Sequence, residues 1–75
     1  MNTYRVTDEA TSETFEAATP EAAVEQFLDK GYDTGEMPEG ASWEGLVTDE
    51  ELVRVAGYRA YADGEGGVKN WKMIL

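Results

Sequence analysis

The stretch LVTDEELVRVAGYRAYADGEGGVKNWKMIL, residues 46–75, decides whether this chain folds around helices or around a sheet. Thr48 and Glu51 stand three residues apart, the spacing of a helix-capping box. Residues 52–62 argue the other way: they are rich in β-branched and aromatic side chains, and a helix over 49–62 would carry Gly57 in its interior. The pattern predicts a turn, or one short helical turn, at 48–51 and then a strand through about Ala62. DGEGG, 63–67, makes a hairpin loop. VKNWKMIL then returns with Trp71, Met73 and Leu75 on one face and Asn70 and Lys72 on the other.

Working outward, TYRVTDEATSETFEAAT, 3–19, alternates in two runs about a polar break, as a β-hairpin does. Tyr4 and Val6 share a face with Phe15 and Ala17, and Arg5 and Glu16 fall on the other, within reach of a cross-strand ion pair. The connector 8–13 has no glycine, so a turn longer than the two-residue type is expected. TPEAAVEQFLDKG, 19–31, reads as a helix with defined ends. Thr19 is the N-cap, Pro20 the first helical residue and Glu21 an acid in the positive first turn. Ala23, Val24, Phe27 and Leu28 form the apolar stripe, the helix ends at Lys30, and Gly31 is a left-handed terminator. GYDTGEMPEGASWEG, 31–45, has four glycines, one proline and no sustained period, and reads as one long loop in which Tyr32, Met37 and Trp43 pack down. The expectation is a single small α+β domain spanning 1–75, in the order β-β-α-(loop)-β-β, with one helix packed on an antiparallel sheet.

Composition narrows the chemistry. With 75 residues there is room for one core, and 41% hydrophobic residues suffice to build it. No cysteine means no disulfide and no thiolate metal site; no histidine removes the commonest general base and transition-metal ligand. No catalytic residues, cofactor or metal are expected, and the chain is read as a non-enzymatic protein. The start, MNTYRVTDEA, lacks the charge and apolar pattern of a signal peptide, and no apolar run reaches membrane-spanning length, so a soluble, cytoplasmic protein is expected.

The formal net charge of −10 opposes binding to nucleic acid or anionic membrane and points to a basic partner. Residues 1–51 hold fourteen of the sixteen acids against only Arg5 and Lys30, whereas 52–75 hold Arg54, Arg59, Lys69 and Lys72 against Asp63 and Glu65. Within the acidic part, Glu21, Glu25 and Asp29 repeat every four residues, about 6 Å per step along one helix face. Like charges at that spacing cost roughly 0.2–0.5 kcal/mol per pair, and Asp29 also opposes the helix dipole. Continued by Asp33, Glu36 and Glu39, the row imitates the phosphate array of a duplex, which presents one charge per about 1.7 Å of axis. Asp33, Glu36 and Glu39 lack the alternating ligand pattern of a calcium loop. Trp43, in a glycine-flanked loop among acids, is either an exposed anchor for a partner or a lid on the core.

In these features, the acids from Asp8 through Glu51 set on a β-hairpin, a helix opening TPEAA and a closing hairpin, the chain resembles the small acidic proteins that phages direct against host defences, especially anti-CRISPR proteins and other DNA mimics. The resemblance is one of composition and layout. It implies an inhibitor that occupies a basic DNA-binding groove, for example on the DNA-recognition subunit of a CRISPR effector complex, with Glu21, Glu25, Asp29, Asp33, Glu36, Glu39 and Trp43 as partner-binding residues. The basic C-terminal hairpin departs from a uniformly acidic mimic. The competing expectation is a small structural or accessory phage protein whose acids serve only solubility and whose hydrophobic loop mediates assembly.

Overall fold

The computed structural model describes residues 1–8, 11–30 and 32–74. It shows a single α-helix and a five-stranded antiparallel sheet among those residues. The strands are β1 (Asn2–Thr7), β2 (Ser12–Ala17), β3 (Ser42–Thr48), β4 (Arg54–Ala62) and β5 (Val68–Met73), and α1 (Pro20–Asp29) follows β2. The sheet order is β2-β1-β3-β4-β5, so the chain leaves the first hairpin, crosses through α1 and returns on the far side of β1.

The helix forms where its ends predict it. Thr19 is extended, and its Oγ1 accepts a 3.1 Å bond from the Ala22 amide. Ala23, Val24, Phe27 and Leu28 are buried against the sheet, with Lys30 as C-cap. Gly31, expected to terminate the helix, and Leu75, expected on the inner face of the last strand, lie outside the described residues. In the first hairpin Tyr4 and Phe15 share the inner face as expected and stand opposite each other, but Arg5 stands opposite Thr14 and Glu16 opposite Thr3, so the Arg5–Glu16 ion pair does not form.

The main departure is β3. Its first residues, 42–45, fall inside the stretch read as loop, and with 46–48 they add a fifth strand to the four expected. Gly45 explains both the strand and why its pattern is hard to see. Along β3, Trp43, Gly45 and Val47 face α1, and Gly45 pairs with Tyr58 of β4. A Cβ at Gly45 would clash with the edge of the Tyr58 ring and with the Thr7 carbonyl of β1. The inner side chain missing from β3 is the space that the fully buried Tyr58 occupies. The residues at 48–51 turn instead of starting a helix, in agreement with the first of the two expectations.

The loop between α1 and β3 is tied down by its backbone. The amide of Thr34, a buried residue, donates to Gly66 O (3.0 Å), and the Gly40 amide donates to Ala62 O (3.0 Å) while the Ala62 amide donates to Ala41 O (2.8 Å). A chain of rings joins the start of the loop to the core: Phe15 meets Phe27 edge-on, Phe27 meets Tyr32 edge-on, and Tyr32 stacks on Trp43 at 5.3 Å and 11°. Tyr32 also donates its hydroxyl to the Asp8 carboxylate. No helix of the described residues is long and apolar enough to cross a membrane.

The Gly45–Tyr58 packing is testable in two ways. Replacing Gly45 with Ala costs about 3 kcal/mol or more in urea unfolding, a large share of what a domain this size possesses, because both neighbours of the new methyl are fixed by the sheet. The second test concerns pH. Burial pushes the Tyr58 hydroxyl well above its ordinary value of 10.0, Asp8 adds to the shift, and the nearby Trp43 indole N–H opposes it. That N–H falls short of hydrogen-bond geometry, leaving both Trp43 Nε1 and the Tyr58 hydroxyl without a partner among the described residues. The folded state holds the proton more tightly than the unfolded chain, so this contribution to stability is complete below about pH 10 and is lost as pH rises above it. Tyr58→Phe, which leaves no partner stranded, changes stability by less than about 1 kcal/mol at neutral pH and removes that part of the alkaline loss in pH-dependent urea melts.

Candidate functional site: the acidic helix face and the loop after it

The outward face of α1 is set by its apolar stripe. With Ala23, Val24, Phe27 and Leu28 turned to the sheet, Glu21, Glu25 and Asp29 point to solvent, and all three are exposed. None of them has an ion-pair partner among the described residues. Lys30 does not soften the row; it swings away to the Glu13 carboxylate of β2, with its ammonium 6.0 Å from the Phe15 ring centroid.

The loop carries the row onward for part of its length. Asp33 and Glu36 are exposed, and Asp33 Oδ1 accepts from the Gly35 amide at 2.7 Å, which orients the carboxylate without neutralising it. Glu39 is also exposed, but it is paired with Lys69 of β5 at 3.0 Å. The last acid of the expected row is thereby joined to the C-terminal hairpin, and the other five carboxylates have no ion-pair partner among the described residues. Trp43 is half-buried in β3, stacked on Tyr32, with Nε1 turned inward. The stacking on Tyr32 is that of a core lid, and the ring also lines a shallow surface pocket with Asp8, Asp33 and Met37.

Sequence order hides the sorting of charge by face. The side chains on the sheet surface away from α1 include Arg5, Arg59 and Lys72, and Arg59 pairs with Glu44 there through Nε (3.1 Å) and Nη2. The helix side and its loop are acidic, whereas the opposite side gathers cations. Two acidic turns extend the negative surface beyond the expected residues. Asp49, Glu50 and Glu51 border a shallow cleft with Asn2, Thr3, Tyr4 and Val55. In the 63–67 turn, Asp63 Oδ1 accepts from the Glu65 and Gly67 amides (2.7 and 2.9 Å), which lowers its carboxyl pKa. Both turns are visible in the sequence as acid-rich runs, TDEE and DGEGG. Among the described residues no three acidic side chains gather as a metal site requires.

Compared with known proteins, the chain matches no family model, no curated protein and no solved structure. Its function must therefore be read from the geometry of this surface.

The cost of the carboxylate row is measurable. Asp29→Lys removes the like-charge contact with Glu25 and places a cation at the negative end of the helix, so it raises stability by about 0.5 kcal/mol in urea or thermal melts at low salt.

Proposed function

We propose that this chain is a non-enzymatic binding protein whose acidic helix face engages the cationic surface of a nucleic-acid-binding protein, competing with the nucleic acid for the same Lys and Arg side chains. The observation that carries the proposal is the exposed, unpaired row of Glu21, Glu25 and Asp29, continued by Asp33 and Glu36. Glu21 suits the positive first turn, but a helix under selection for folding alone gains nothing from repeating the charge at Glu25 and Asp29, the last at its unfavourable end. A partner whose own groove is lined with cations supplies the missing counter-charge, and the row then contributes both steering and register.

Within that class, the resemblance to anti-CRISPR proteins and other DNA mimics names the first partner to assay, the DNA-recognition subunit of a CRISPR effector complex in a host cytoplasm. The support from geometry is the acidic surface of α1 and its loop, with Trp43 lining a shallow pocket beside Asp33. The inhibitor works by occupancy, with no cofactor and no covalent step.

The test is charge reversal of Glu21, Glu25 and Asp29 to Lys, with the fold checked by circular dichroism. Inhibition of the target's DNA binding falls by at least about tenfold, and the affinity of the unaltered chain drops steeply from low to physiological salt. A folded triple variant that still inhibits as well as the original overturns the proposal.

A further inference from the structure

The β3–β4 hairpin presents apolar side chains that the fold does not use. Apart from Met1, every exposed large hydrophobic residue described, Leu46, Leu52, Val53 and Val55, comes from ten consecutive positions. The turn between the strands is fully specified. The Asp49 amide donates to Val53 O and the Leu52 amide to Asp49 O, each at 3.0 Å, while Asp49 Oδ1 accepts from the Glu51 and Val53 amides at 2.8 and 3.0 Å. That geometry puts Leu52 at φ +62°, the only described residue other than glycine with a positive φ. Glycine or asparagine suits that conformation, and leucine is strained in it. Leu52 recovers nothing by burial, since it is 66% exposed. A strained leucine displayed to solvent after three acids has no explanation in the folding of one chain.

The surface it fits is on the other side of the same sheet. There Leu46 pairs with Gly57, whose carbonyl accepts from the Ile74 amide, so an apolar row crosses β3, β4 and the end of β5. The Arg54 guanidinium lies over Gly57, 3.2 Å from where a Cβ would stand. Of the six cations, Lys30, Arg59 and Lys69 are paired with carboxylates. Arg5, Arg54 and Lys72 form no ion pair among the described residues, and all three lie on this face, where Arg5 shares a shallow pocket with Asp49, Glu50 and Leu52 of its own tip. In a chain with sixteen acids, the unpaired cations border one apolar row.

We infer that the acid-flanked tip of the β3–β4 hairpin docks onto the open sheet face of a second copy of this chain. Leu52 and Val53 meet the row of Leu46 and Ile74, and Asp49, Glu50 and Glu51 meet the free cations. Charge complementarity selects this occupant. Two open faces laid squarely together would set cation against cation, and a nucleic acid would meet the repulsion of a chain at −10. Neither α1 nor the loop after it takes part in this contact, so it stands or falls independently of the proposed function.

The experiment is sedimentation velocity of the full chain from low micromolar to millimolar concentration at physiological salt. The unaltered chain self-associates. Leu52→Gly, which relieves the positive φ, melts at the same or a higher temperature and weakens association by at least about tenfold. Leu52→Asn, also suited to that φ, gives the same result. The Arg54→Glu/Lys72→Glu double variant, whose tip is intact but whose face is reversed, likewise fails to associate alone; mixed with Leu52→Gly, it forms a heterodimer. A chain that stays monomeric up to millimolar concentration, a Leu52→Gly variant that associates as strongly as the original, or a mixture that does not restore association overturns the inference.

Discussion

The placement of Tyr58 over Gly45 is the contact on which the rest of the structure depends. Tyr58 is the largest side chain buried completely, in a core that also holds Tyr4, Phe27, Leu28, Val6, Val24 and Val47. Its ring takes the volume that any side chain at 45 would need, and the Thr7 carbonyl closes the same space from β1. Three strands are therefore held at one spacing by a residue with no side chain and another with a large one. Trp43, on the same inner face, carries the contact outward to Tyr32, and from there the edge-on rings of Phe27 and Phe15 reach the helix and β2. The helix, which touches mainly β1 and β2, is thereby tied to the half of the sheet it does not cover.

That contact also shows which parts of the fold can be read from sequence and which cannot. The helix is legible to the residue at its N-terminus, because Thr19, Pro20 and Glu21 each act through local chemistry. The hairpins at 3–17 and 58–73 are legible through alternation and through DGEGG. β3 is not, because its alternation is interrupted at the inner position by Gly45, and glycine beside Trp43 reads as loop until the partner that fills the gap is known. Tyr58 lies thirteen residues further on, and nothing local joins the two. The register of the first hairpin is hidden for a similar reason: facing can be read from period, but which residue stands opposite which depends on the loop. In the candidate site, exposure of Glu21, Glu25 and Asp29 follows directly from the buried stripe opposite them. The pairing of Glu39 with Lys69 and the inward turn of Trp43 require the tertiary fold, since both depend on the loop lying against the 63–67 turn.

The distribution of charge changes meaning once the topology is known. Along the chain, acids and bases divide near residue 51; in space, four of the six cations share the sheet face away from α1. Arg5 belongs to the acidic part of the sequence but joins Arg54, Arg59 and Lys72 on the face away from α1, because β1 lies inside the sheet and its odd positions face outward. Asp63 and Glu65 belong to the basic part but sit in a turn against the acidic loop, where the Gly66 and Gly67 carbonyls accept from the Thr34 amide and hydroxyl. The molecule has two sides of opposite character.

The energetics make the two sides separable from the fold. The ion pairs formed among the described residues, Lys30–Glu13, Arg59–Glu44 and Lys69–Glu39, are all solvent-exposed, and such pairs each contribute between nothing and about 1 kcal/mol. Stability must come from the apolar interior and the sheet ladder, in which Glu21, Glu25, Asp29, Asp33 and Glu36 have no part. Some acids do serve the fold: Asp8 holds the Tyr32 hydroxyl and raises the Tyr58 pKa, and Asp33, Asp49 and Asp63 accept the backbone amides of their turns. Self-repulsion at −10 works against so small a core, and neutral polar residues on α1 and its loop would fold at least as well. On the proposed reading, a cationic partner supplies the counter-charge for a pattern that lies outside the folding network.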